Sequence, residues 1–378
     1  LLAHWRYSGG PRVLDLRLLD LSDDVQGALG TLGYQSGDWV IVPASRVSEL
    51  PKSVDQPIFW RSPRCTRDDL DRALKARWGS VFVTQASQLD GIAPERVLFS
   101  GSEAAGVGGD ESTLVLLRRV LERTRAPVFV VGGLGPDAAA GAIVAGAAGV
   151  IVSEALWATP EAGASDELLE LLERCDPSDT AGLGRYFDFE LRVYRQLATK
   201  PPTAYAAFEL SQSPDRDGAV ACWEEFLDHL PTGVIPEQID IRNSLVPFGQ
   251  INALSVLMRD QFGHADAVLQ HYGHVISTSV AGVHDDYPFV EGGRLARRFG
   301  TSFPLFQGPM SQVADEPSFV DKIERSGAFP WVAFSNMPDY VAEPLLHDVH
   351  SVMGVRAWGV GIIGMDSNRY RDAHLELL

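Results

Sequence analysis

The sequence predicts an α/β protein: a (β/α)8 barrel of the TIM type, then a mainly helical segment, then the first strands of a second barrel. Three observations carry this. Seven short apolar runs recur between Val13 and Val152, with helical patterns between several of them. Two successive runs end in glycine-rich turns, SGSEAAGVGG from Ser100 and GGLGPD from Gly132. A strand–turn–helix pattern then starts afresh near residue 301.

In chain order the strand-like runs are Val13–Leu19, Trp39–Val42, Pro57–Trp60, Ser80–Thr84, Val97–Ser100, Val128–Val131 and Gly149–Val152. Runs this short, apolar throughout and bounded by glycine, fit strands buried on both faces of a parallel sheet. The clearest helical patterns are 66–78 and 111–124. Seven units predict an eight-stranded barrel with one strand weakened or missed. A doubly wound sheet is the rival, which periodicity does not separate from the barrel. Breakers around 175–184 end this first unit, expected to span 1–185. The stretch 186–300 reads as helical, through 188–199 and 217–230, broken by prolines at 201, 202, 231 and 236. The third piece, 301–378, has an apolar strand ending in Gln307-Gly308-Pro309-Met310, a helix near 317–326, and strands at Trp331–Ser335 and Ala357–Ile363.

A net charge of −18 excludes a nucleic-acid or anionic-membrane surface as the main partner, since both would repel the chain. No apolar run approaches the ~20 residues that span a bilayer. The first residues lack the basic head and apolar core of a signal peptide. Three scattered cysteines, Cys65, Cys175 and Cys222, fit a reducing cytoplasm and show no metal-ligand spacing. The chain starts on Leu1, and it is expected to be a piece of something longer.

Glycines at the carboxyl ends of barrel strands let a ligand approach the backbone, and the last strands of a barrel commonly hold a phosphate. Gly132–Gly135, ahead of a helix near Asp137, has the form of such a cradle. A tight strand-to-helix turn with no ligand is the alternative for these glycines. The run V-x-x-x-G-S-E-A-A-G, a helix, P-V-F-V-V-G-G-L, a helix, and G-A-A-G-V-I-V-S resembles the nitronate monooxygenase superfamily. That superfamily includes flavin-dependent enoyl reductases of polyketide and polyunsaturated fatty-acid synthases. The L-F-Q-G-P-M turn near residue 307 is similar to the family's first strand.

The resemblance implies FMN as cofactor. It places Gly101 and Glu103–Gly106 over the flavin, Gly132 and Gly133 at its phosphate, and Gln307, Gly308, Pro309 and Met310 against its ring. Three positions depart from the family pattern. Val107 stands where a histidine faces the substrate, and valine moves no proton. Ser153-Glu154 replaces small phosphate-side residues, and a carboxylate there would repel a phosphate unless turned away. Gly361 replaces an asparagine that bonds the flavin.

An internal repeat is also expected: a shift of 292 positions aligns Val13–Trp39 with Leu305–Trp331 without a gap. It sets Asp15-Leu16-Arg17-Leu18 opposite Gln307–Met310, so the first copy lacks that turn. A separate stretch holds His264, His271, His274, His284, Asp285 and Asp286, residues able to bind a metal or supply a base, though not at a tight metal-site spacing. The expected function is an FMN-dependent oxidoreductase, acting on a nitronate or a carrier-bound acyl chain, with a degenerate first barrel. Its partners would be the other domains of a larger synthase. The alternative is a non-catalytic barrel module serving assembly.

Overall fold

The computed structural model describes residues 12–15, 25–31, 33–61, 67–76, 79–183, 189–195, 241, 246–285, 287 and 289–378. The helix expected over 217–230, the prolines between 201 and 236, Leu16–Leu18, Cys65, Cys222 and Asp286 lie outside these. The chain divides into two compact units, Leu1–Val280 and Ala281–Leu378.

The first unit is built on seven parallel strands. They are β1 (Val13–Asp15), followed by helix α1 (Val25–Thr31); β2 (Trp39–Pro43); β3 (Gln56–Trp60), followed by α2 (Arg67–Ala76); and β4 (Ser80–Val83). Then come β5 (Val97–Phe99); a small strand β6 (Gly106–Gly108) that leaves the sheet; α3 (Thr113–Arg123); β7 (Val128–Val131); α4 (Pro136–Val144); β8 (Gly149–Ile151); and α5 (Asp166–Arg174). The sheet order is β1-β2-β3-β4-β5-β7-β8, every pairing parallel. Single 3-10 turns, Ala44–Glu49 and Ala86–Leu89, replace full helices after β2 and β4.

Side chains alternate between two layers, as the period of two along a strand requires. Val40, Phe59, Val81, Val97, Phe99 and Val130 pack outward with residues of the helices, such as Leu70 and Leu117. Ile41, Ile58, Trp60, Phe82, Leu98 and Val131 form a second, inner cluster. One contact shows how far the sheet curls. The rings of Trp39 on β2 and Phe129 on β7 meet edge to face, with centroids 5.0 Å apart. A flat sheet with three strands between them would hold these positions about 19 Å apart. The sheet is therefore a nearly closed barrel with a packed interior, and the doubly wound alternative is set aside.

The segment 188–199 is not helical where it is described. Glu190–Tyr194 is strand β10, antiparallel to β6 and to β9 (Thr180–Leu183). Phe189, Leu191 and Val193 repeat every second residue, a strand signal that the polar residues between them disguised. The unit closes with α6 (Ser255–Phe262) and α7 (Ala265–Asp285), the latter running across the division. Among the described residues no helix is long and apolar enough to cross a membrane.

The second unit contains α8 (Arg294–Phe299), α9 (Pro317–Arg325), β11 (Trp331–Ala333), α10 (Asp339–Met353), β12 (Gly359–Gly361) and α11 (Arg371–Leu377). β11 and β12 run parallel, and a parallel bridge between Phe306 and Phe329 adds a third chain segment. Val320, Val332, Phe334, Ala342, Val349 and Met353 make its core. The order strand–helix–strand matches the start of the first unit, but the register does not. Val13 faces Trp39, 26 positions on, whereas Phe306 faces Phe329, 23 positions on. The next crossing differs too, a 6-residue 3-10 turn against the 15-residue α10. The gapless alignment therefore does not describe the pairing, although the order of elements recurs.

Phe82, 1% exposed inside the barrel, tests this packing. Phe82→Ala is expected to cost about 3–5 kcal/mol in urea unfolding of the first unit. Leu114→Ala, at a residue 52% exposed on α3, is expected to change it by under about 0.5 kcal/mol.

Candidate functional site

The carboxyl ends of the barrel strands carry the expected cradle. Gly132 and Gly133 follow β7 directly, both in the left-handed region, with φ of +64° and +71°. Neither position has room for a side chain. A Cβ on Gly133 would lie 2.7 Å from the Ala104 nitrogen, and one on Gly132 would lie 2.5 Å from an oxygen of Glu154. Three loops thus meet at one point: the turn after β5, the turn after β7, and Ser153-Glu154 after β8.

The Glu154 carboxylate sits where they meet. Its residue is 3% exposed. Oε1 accepts the Ala105 N–H at 2.8 Å, and both oxygens accept the Gly133 N–H, at 3.2 and 3.3 Å. The Ser153 hydroxyl donates to Oε2. Nearby, the Tyr272 hydroxyl donates to the Leu134 carbonyl at 2.8 Å. Burial first, and then the negative charge of Glu154, push the Tyr272 phenol above its ordinary range.

The remaining positions over the barrel are also committed. Glu103 turns away to accept the N–H and hydroxyl of Thr113, at 2.8 and 2.6 Å, capping the start of α3 where a carboxylate is favoured. Gly101 lies so close to Thr113 that a Cβ would come within 2.4 Å of its hydroxyl. Val107 is 2% exposed and faces Leu191 in the β6–β10 ladder. Phe189, Leu191 and Val193 join the inner barrel cluster, and the ring of Phe189 meets that of Trp60 edge to face at 5.9 Å.

The residues present therefore do not fit the phosphate of FMN at Gly132–Gly133. The backbone N–H groups that would bind it already bind a carboxylate, and a second anion at that point would be repelled. Glu154 does not turn away, the one arrangement that would have spared a phosphate: its carboxylate turns in.

The other expected site residues lie in the second unit. The Gln307 N–H donates to the Phe329 carbonyl at 2.9 Å, and its side-chain oxygen accepts the Trp331 N–H at 3.1 Å. Its amide nitrogen donates to the Gly308 carbonyl. Gly308, Pro309 and Met310 follow as an exposed turn, with open space where a Cβ of Gly308 would stand. Two non-glycine residues adopt positive φ beside it, Gln312 at 64° and Ser335 at 42°, and their neighbourhood is tied by a Ser311–Ser335 hydroxyl contact. Gly361 lies under Pro309, where a Cβ would come within 2.3 Å of the proline ring. An asparagine does not fit at this position in this unit.

Two residues of the histidine stretch have structural work, and the side chains of His284, Asp285 and Asp286 lie outside what is described. The ring of His271 stacks on Phe262 at 4.5 Å, and Nδ1 of His264 accepts the Ala267 N–H at the start of α7. Among the described residues no three His, Cys, Asp or Glu side chains gather as a metal site.

Neither a family model nor a curated protein matches the chain. Solved structures do. FabK from Thermotoga maritima matches with a TM-score of 0.51 and 20% identity, over 70% of this chain and 84% of that one. This chain shares the FabK fold. Two others lie further off. The enoyl reductase domain of MlnA from the macrolactin biosynthesis cluster of Bacillus amyloliquefaciens has a TM-score of 0.45 at 12% identity, over 69% and 86% of the two chains. Nitroalkane oxidase from Streptomyces ansochromogenes has 0.40 at 16%, over 64% and 68%. The barrel expected from the motifs is the fold that FabK displays.

Two predictions follow from these positions. Burial, then the charge of Asp179, pushes the Cys175 thiol up to about 11 from its ordinary value, 9.0. Its thiolate is therefore scarce at neutral pH and rises only toward strong alkali. Peptide-resolved iodoacetamide labelling at pH 8 should run on the order of 100-fold slower at Cys175 than at an unstructured cysteine. Gly361→Asn should destabilise the second unit by about 1–3 kcal/mol in urea unfolding, as overpacking does.

Proposed function

We propose that the first unit is a barrel of nitronate monooxygenase type that performs no flavin chemistry and serves as a structural or docking module beside the other domains of a larger synthase. One observation carries this reading: the barrel mouth is filled by the chain's own apolar side chains. Phe189, just before β10, Leu191 and Val193 on it, and Val107 from β6 pack into the inner cluster, with Phe189 on Trp60 at the carboxyl end of β3, the end where the resemblance puts a flavin ring and substrate. Val107 supplies no proton donor or acceptor there. The motifs of the sequence and the fold shared with FabK support the kinship; the filled mouth supports the loss of chemistry.

A second reading belongs to the second unit, and a specific observation favours it. Gln312 and Ser335 hold positive φ beside the exposed Gly308–Met310 turn, and strained backbone of this kind concentrates at ligand sites. In that reading the turn presents its backbone to FMN, and Pro309 is braced by Gly361. The flavin, when bound, supplies the redox chemistry for a nitronate or a carrier-bound acyl substrate. The protein's part is to fix the turn, through Gln307 and the Trp331 N–H.

Titration of the 378-residue chain with FMN, followed by gel filtration and absorbance, separates these. The module reading predicts that no flavin is retained at micromolar concentration. Gly308→Val places a side chain in open space and so spares the fold while blocking the turn. One retained equivalent of flavin that Gly308→Val abolishes would move the chemistry to the second unit. One equivalent indifferent to Gly308→Val would overturn the proposal for the first.

A further inference from the structure

We infer that Glu154 is a tethered anion: its carboxylate occupies a latent phosphomonoester nest in the barrel and closes it from within. The inference rests on the reading of the first unit as non-catalytic and deepens it, by naming what the vacated site would bind.

The geometry is that of an anion site. Main-chain N–H groups from two separate loops, at Ala105 and Gly133, converge on one carboxylate, joined by the Ser153 hydroxyl. Converging backbone N–H groups form a concave, electropositive nest whose natural occupant is an oxyanion. The nest is buried, and it depends on glycine: a Cβ at Gly132 would displace the carboxylate oxygens, which lie 2.5 and 2.8 Å from that point. Gly133 needs its positive φ to aim its N–H inward. A carboxylate presents two oxygens to these donors and a phosphate monoester presents three, so the same donors serve both.

A tethered anion differs from an ordinary buried hydrogen-bond acceptor in one respect. Once removed, it can be replaced by a free anion of the same chemistry, which then stabilises the fold by mass action. Glu154→Ala should lower the Tm of the first unit by roughly 5–10 °C, because it leaves buried N–H groups without acceptors. Tens of millimolar inorganic phosphate should recover at least half of that loss, beyond the shift that phosphate gives the unaltered protein and beyond sodium chloride at equal ionic strength. Glu154→Gln keeps the shape without the charge, so it should fold, melt lower than the unaltered protein, and show no phosphate-specific recovery, because its nest stays filled.

An alanine variant that phosphate stabilises no more than the unaltered protein overturns the inference. So does a glutamine variant as stable as the unaltered protein, since the charge then does nothing. These outcomes stand apart from flavin binding. A chain that retains no FMN yet shows no phosphate-specific recovery leaves the module reading intact and removes this inference alone.

Discussion

A single buried carboxylate ties the mouth of this barrel together. Desolvating a carboxylate costs several kcal/mol unless hydrogen-bond donors replace the lost water. Here the donors are two backbone N–H groups and a hydroxyl, drawn from the ends of β5, β7 and β8. Each loop is shaped by that demand. Gly132 and Gly133 adopt left-handed backbone to make room and to point an N–H inward. The 103–105 turn is pressed so close to Gly133 and Gly249 that neither tolerates a Cβ. The same N–H groups cannot serve a second anion while they serve Glu154, so the constraint that completes this part of the fold also closes the cradle.

The interior of the barrel tells the same story by packing. Barrels bind ligands where strand ends and loops leave space above a filled core. In this chain Ile41, Ile58, Phe82 and Leu98 fill the core, the half-buried pair Trp39–Phe129 packs against it, and Phe189 sits on Trp60 at the end of β3. The antiparallel strand β10 brings in Leu191 and Val193 and pairs with β6, the continuation of the glycine run. The second unit contrasts with this. Its Gln307–Met310 turn is exposed, its neighbours hold strained backbone, and its core lies on the helix side of the strands.

The sequence made the strands legible because they are apolar throughout, and burial on both faces leaves no polar residue to blur the pattern. Each of the seven runs holds a barrel strand, the first described only over Val13–Asp15, and the Q-G-P-M turn fell between paired segments as its flanks implied. β10 was misread because Glu190 and Arg192 interrupt Phe189, Leu191 and Val193, and charged residues beside apolar ones at this spacing also suit a helix. The repeat was legible as an order of elements but not as a register, since register is set by contacts across strands rather than along them. Val107 and Glu154 stood out as departures at once. What the sequence could not convey was direction: whether Glu154 turns out to solvent or inward depends on N–H groups far away in the chain, at Ala105 and Gly133. Gly361 is similar, since its smallness answers to Pro309, more than fifty positions earlier.

Amide hydrogen exchange at Ala105 and Gly133 tests the central claim most directly. Both N–H groups lie in loops, where exchange is ordinarily fast, yet both are bound by a buried carboxylate. The account predicts protection at these two amides comparable to that of the adjoining strands β5 and β7. Exchange at the rate of an open loop would mean that the nest is not held by Glu154, and would contradict it.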